Sequence, residues 1–223
     1  HLKDLFPRQL SYNRFVELES RVCLEMMLFL QLFCFGRCTG ISFVDSTCVP
    51  VCHNKRITRN KVFKGYAEIG KSTMGWYFGF KLHLICNERG ELLNFMLTKA
   101  NVDDRNDDVF NRLSDNVFGK LFADKGYISQ KLFDRLFNDG INLVTGLKCN
   151  MKNKLIPLYD KILLRKRSVI ETINDELKNV AQLVHSRHRS VYNFCMNVLS
   201  VLVAYSLDEK KPSINIDYCI DVN

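Results

Sequence analysis

The stretch Ile41-Ser-Phe-Val-Asp45-Ser-Thr47 sets the firmest condition on how this chain can fold. Its β-branched and aromatic residues make a short buried strand, ended by Pro50, yet a carboxylate stands at its middle. Burying an unpaired carboxylate costs several kcal/mol. The strand therefore needs a sheet around it and a positive partner for Asp45, and a divalent cation is the simplest one. Two later carboxylates, Asp124 and Glu171, stand in contexts able to complete such a site.

The elements around that strand follow from periodicity. Residues 76–86 alternate, with Phe78, Phe80, Leu82 and Leu84 on one face and Lys81 and His83 on the other. A turn at 88–91 leads into a second strand over 92–98, so a hairpin is expected beside the Asp45 strand. Asp103 to Asp108 opens a short helix, and acids in a first turn complement its dipole. That account of the aspartates is simpler than a metal cluster. Val117 to Ala123 is the fourth strand, and it closes on Asp124-Lys-Gly126-Tyr127. A carboxylate at the C-terminal end of a buried strand lies where α/β sheets place ligand-binding groups. Ser129 caps a helix reaching Asn138, with Leu132, Phe133, Leu136 and Phe137 as its apolar face. Gly140 stops it, and residues 141–145 form a fifth strand. The order β-β-β-α-β-α-β, followed by helices, describes a mixed five-stranded α/β sheet flanked by helices.

At 223 residues, 47% hydrophobic and 25% charged, the chain has the size and make-up of one sizeable domain. Boundaries are expected at a helical segment over 1–40, a catalytic body over 41–207 and a loosely ordered polar tail over 208–223. In the first segment a helix is predicted from the Ser11 cap to Phe35, with Gly36 as its stop. The apolar run Met26–Phe35 is ten residues, where a bilayer core needs about 20, so it is a buried helix and no membrane partner is expected. A start at His1 points to a missing N-terminal piece. Nine cysteines, with no secretory signal apparent, read as reduced cytosolic thiols. Cys34-x3-Cys38 and Cys48-x3-Cys52-His53 raise the question of zinc, but the spacing is unusual and packing by small thiols explains them better.

Charge points to a polyanionic partner: 32 Lys and Arg against 24 Asp and Glu give +8. The excess is local. Residues 53–64 carry Lys55, Arg56, Arg59, Lys61 and Lys64 without an acid. They form either a solvated loop or one that contacts phosphates. Residues 148–167 carry Lys148, Lys152, Lys154, Lys161, Arg165, Lys166 and Arg167 against Asp160 alone. That basic connector reads as a nucleic-acid contact.

From Ser168 the period turns helical, with Ile170, Ile173, Leu177, Val180, Ala181 and Val184 as the core stripe. Arg167, Glu171, Asp175 and Lys178 fall on a neighbouring face at about 100° per residue. Glu171 thus borders the stripe and can reach toward the sheet. The plainer account is a solvated face with ion pairs worth ~0.2–0.5 kcal/mol each. A last helix follows, with Val191, Phe194, Val198, Leu202 and Tyr205 as its apolar side.

Together, Phe43-Val-Asp45-Ser-Thr47, Phe122-Ala-Asp124-Lys-Gly-Tyr127 and Arg167-x3-Glu171-x6-Lys178 resemble the DDE transposases of bacterial insertion sequences, over roughly residues 5–207. The resemblance implies a ribonuclease H-like core in which Asp45, Asp124 and Glu171 ligate two Mg2+ (or Mn2+) ions and catalyse DNA cleavage and strand transfer. It implies phosphate contacts by Arg167 and Lys178, joined by the basic Lys55, Arg56, Arg165 and Lys166. It also implies DNA as partner, a homodimer in the active complex and a cytoplasmic, nucleoid-associated location. The family's fuller signature has a Tyr where this chain has Leu164. Two alternatives stay open: a nuclease of the same fold that does not join strands, and a truncated remnant that only binds DNA.

Overall fold

The computed structural model describes residues 8, 10–147, 151, 155–184 and 188–214. Its centre is a six-stranded mixed sheet formed by β1 (Ile41–Cys52), β2 (Glu68–Ser72), β3 (Gly75–Asn87), β4 (Leu92–Lys99), β5 (Gly119–Ala123) and β6 (Ile141–Thr145). β3 runs antiparallel to β1 on one edge, while its other edge takes β2 along residues 75–79 and β4 along 80–86. β5 joins β1 in parallel, and β6 joins β5 in parallel. The expected five strands are all present. β2 is the sixth, and the sequence hid it because Glu-Ile-Gly-Lys-Ser has neither alternation nor an apolar run. A mixed sheet of this order, flanked by helices, is compatible with a ribonuclease H-like fold.

β1 is longer than its proline implies. It continues past Pro50 to Cys52, with an irregularity between those residues. Its parallel partner covers only Ile41 to Phe43, so Pro50 lies where one edge is free and its missing N–H breaks no ladder. Opposite it, a Cβ on Gly79 would stand 2.2 Å from the Val49 carbonyl oxygen. Glycine is what allows the two strands to approach there.

Alternation along the strands divides the core into two layers. Phe43, Val49, Phe80, Leu82 and Leu84 face one side, beneath α6 (Ser168–Asp175) and α7 (Val191–Leu207), where they meet Ile170, Ile173, Phe194 and Leu202. Val44, Ile85 and Leu121 face the other, beneath α3 (Asp107–Leu113) and α4 (Gln130–Asn138), against Phe110, Leu132 and Leu136. With both faces covered, His83 is fully buried, not surface-facing. On α4, Leu132 and Leu136 are buried, but Phe137 is exposed and stacks on Phe133.

The N-terminal helical prediction holds, with Ser11 accepting from the Arg14 backbone N–H at the cap. The run is broken into α1 (Tyr12–Glu19), a 3-10 turn, α2 (Cys23–Phe29) and a π turn over Leu30–Cys34, and α2 packs on α7. Half of the basic connector is also helical, as α5 (Leu158–Lys166). Lys148, Lys152 and Lys154 lie outside the described residues. Residues 208–214 run back over the β3–β4 turn, where the Ile214 N–H donates to the Glu88 carbonyl at 2.7 Å. No helix among the described residues is long and apolar enough to cross a membrane.

A carboxylate site centred on Arg167

Asp45 sits on the α6 side of β1, opposite Leu84 of β3. Asp124 directly follows β5, the strand parallel to β1, and precedes the 3-10 turn Lys125–Tyr127. Glu171 stands in the first turn of α6, where the helix dipole favours its charge. α6 is held against β1 by Val169, Ile170 and Ile173, which bury themselves in the core layer that contains Phe43. Three residues distant in the chain are thereby brought to one place.

Arg167 joins them. It stands at the junction where α5 ends and α6 begins, and its side chain is only 16% exposed. Its guanidinium lies 4.0 Å from an Asp45 oxygen and 4.0 Å from an Asp124 oxygen, and it bonds a Glu171 oxygen directly. Its planar fork of five donors can address several acids at once in a fixed geometry. The acids are unequal: Asp124 and Glu171 are 57% and 54% exposed, but Asp45 only 23%. Burial pushes Asp45 up to about 6; Arg167 and the Ser46 N–H oppose the rise, Glu171 adds to it, and Asn174 opposes it.

Sequence reasoning missed Asn174. Its side-chain N–H donates to Asp45 Oδ2 at 3.0 Å, while its own Oδ1 is buried with no partner among the described residues. A polar residue inside the apolar stripe, directly after Ile173, was the available signal. Asp104 was also misassigned. Asn106, not the aspartates before it, caps α3. Asp104 instead accepts from Ser46 at 2.9 Å and from Lys81 at 3.0 Å on the opposite face of the sheet, behind Asp45. His83 lies beside it, with Nδ1 3.9 Å from Asp104 and Nε2 2.9 Å from Thr98 Oγ1. Burial pushes His83 down to about 4, so at neutral pH this contact is not an ion pair.

The basic candidates divide by place. Arg165 and Lys166 are exposed at the end of α5, directly before Arg167. Lys178 lies half-buried on a π turn over Glu176–Val180, which interrupts the expected helical face. The same turn leaves Val180 77% exposed, so it drops out of the core stripe that Leu177 keeps, while Leu183, outside the expected stripe, is buried. Lys55 and Arg56 stand on a 3-10 turn over Asn54–Arg59, beyond the far end of β1. Seven residue steps of extended strand lead from Asp45 to Cys52, or roughly 23 Å at ~3.3 Å per residue. The fold therefore gathers the three acids with Arg167 but sets Lys55 and Arg56 well apart.

As a donor set, three carboxylates with no His or Cys suit a hard divalent cation. The buried Asp45 and the open Asn174 oxygen give the site an excess of acceptors that positive charge relieves. Arg167 supplies that charge here, and among the described residues no three His, Cys, Asp or Glu side chains are gathered tightly enough to hold a metal. The residues fit such an ion in kind, with the guanidinium standing among them.

A family model described as a transposase DDE domain matches residues 35–191, which include all three acids, Arg167 and Asn174. A search of curated proteins finds no match. With most of its length covered by that match, the chain belongs to the DDE-domain transposases.

Proposed function

We propose that this transposase cleaves DNA at the ends of a mobile element, an insertion sequence, and joins the freed strand to a target, with Asp45, Asp124 and Glu171 as the catalytic carboxylates. The observation that carries the reading is the convergence of all three acids on one guanidinium. The three acids would hold Mg2+ or Mn2+. When bound, a pair of such ions supplies activation of the attacking hydroxyl and charge stabilisation at the leaving oxygen. Asn174 fixes the orientation of Asp45 through its hydrogen bond, and the α6 contact with β1 sets Glu171 opposite it. Arg167 neutralises the acids while no other cation does, and then turns to the DNA phosphate. Arg165, Lys166 and Lys178 add phosphate contacts on the same side. Two element ends must be brought together, so the active complex is a homodimer, working where the chromosome lies.

The test uses a plasmid carrying the DNA that flanks the gene. Asp45→Asn is expected to abolish divalent-ion-dependent nicking and to leave the gel shift of that DNA in place. Equal nicking by the variant would remove the assignment. Joined products support strand transfer, whereas free ends alone would reduce the enzyme to a nuclease.

A further inference from the structure

A cavity of about 1020 Å3 lies away from the carboxylates. It opens where the end of β1, the 3-10 turn Asn54–Arg59 and the start of β3 meet. Among the described residues its wall includes His53, Arg56, Arg59, Trp76, Tyr77 and His188, and no acid. Arg56 and Arg59 are exposed and form no ion pair among the described residues. Two unpaired guanidiniums beside a hollow are an arrangement that attracts phosphates. Trp76 is the chain's single tryptophan and is 61% exposed. An indole so open to water has aromatic surface available for stacking. Lys71 Nζ stands over one face of the ring, 5.7 Å from its centre, and brings positive charge to the aromatic surface. The cleft is also held in shape, since Asn54 Nδ2 donates to the Trp76 carbonyl at 2.6 Å and so ties the basic turn to β3.

We propose that this cleft binds single-stranded DNA, with a base stacked on the Trp76 indole and the flanking phosphates held by Arg56 and Arg59. An aromatic platform beside a cationic groove selects unpaired nucleotides, because bases inside a duplex have no free face to offer. Duplex DNA would use the same guanidiniums without the ring. Such a site lets the protein hold a strand that has left its duplex, at a distance from the cleavage centre. The inference rests on DNA being the substrate, and the experiment separates the two.

Since Trp76 is the chain's only tryptophan, its emission reports on this cleft alone. The full chain is titrated with fluorescein-labelled oligothymidylate and with a duplex of equal length, following tryptophan emission and label anisotropy together. The expected result is quenching by the single strand and little by the duplex. Trp76→Leu should weaken oligothymidylate binding about 5- to 140-fold, change duplex binding by less than about twofold, and be partly rescued by Trp76→Phe. Single-strand binding with unchanged emission, or equal weakening of single strand and duplex by Trp76→Leu, overturns the stacking site and leaves the DNA reading standing. Absence of binding to either nucleic acid overturns both.

Discussion

Asp45 is the residue whose environment has the clearest thermodynamic consequence. An aspartate ordinarily titrates near 3.8, and burial holds this one at about 6 in the folded protein. The native state thus binds the proton more tightly than the unfolded chain. Its contribution to stability is fully present below pH 3.8 and is lost as pH rises through about 6. Above that, the metal-free wild type carries a buried charge that Asp45→Asn lacks. In EDTA the variant should exceed wild type by about 2–3 kcal/mol near pH 8, at ~1.36 kcal/mol per pH unit, with the gap closing toward pH 4. His83 slopes the other way. Its folded value, pushed down to about 4, gives stability present above its ordinary 6.5 and lost as pH falls. The two trends oppose each other in wild type, so only the difference between wild type and variant isolates Asp45. Urea unfolding at several pH values measures it; a pH-independent gap would show that burial does not govern this carboxylate.

Among the elements, α5 matters because it delivers Arg167 to the acids. It is anchored by Lys120 of β5, whose ammonium meets Asp160 at 2.6 Å and lies 5.7 Å from the Tyr159 ring centre. Asp160 is 7% exposed and Lys120 37%, so removing the lysine strands a buried carboxylate. Lys120→Met should cost about 2–3 kcal/mol, below the full loss expected for a wholly buried pair because the lysine is partly solvated. Lys120→Met combined with Asp160→Leu should recover most of that in thermal unfolding. If the double variant is no better than the single, the pair is not what seats the helix. The sequence displayed Asp160 only as a lone acid in a basic run, since nothing local reveals a partner forty residues earlier. Strands with an alternating or apolar pattern were legible, as were the Ser11 and Ser129 caps, because each depends on neighbouring residues. β2 was not, because its pairing comes from β3 and not from its own composition. The three acids could be named from motif and strand position. That Arg167 joins them depends on how α5 meets α6, and that Asp104 turns away from its helix depends on Lys81 and Ser46. Both are tertiary outcomes. The π turn after Asp175 is of the same kind, and it moved Val180 out of a core stripe that regular helical periodicity had placed it in.

On the scale of the whole molecule, the +8 charge is concentrated where acids are missing. Among the described residues, Arg56, Arg59, Arg165 and Lys166 form no ion pair, in contrast to Lys120, Arg135 and Arg167. Unpaired exposed cations release DNA counterions without first breaking an intramolecular bond, so they dominate salt-dependent affinity. They form two groups: one at the end of α5 beside the acids, one past the end of β1, roughly 23 Å from Asp45 by strand length. That length of β1 between the acids and the second group is well beyond the ~7–10 Å within which substitutions couple. Neutralising Arg165 and Lys166 to Gln should therefore lower the slope of log affinity against log salt by about 2, at ~0.9 per phosphate contact on duplex DNA. Arg56→Gln with Arg59→Gln should do the same independently, and all four together should lower it by about 4. Fluorescence anisotropy across a salt series reads this directly. Equal slopes in wild type and the fourfold variant would mean that DNA lies on some other face. A loss from the α5 pair alone would confine duplex DNA to the carboxylate end and leave the far cleft to unpaired strands.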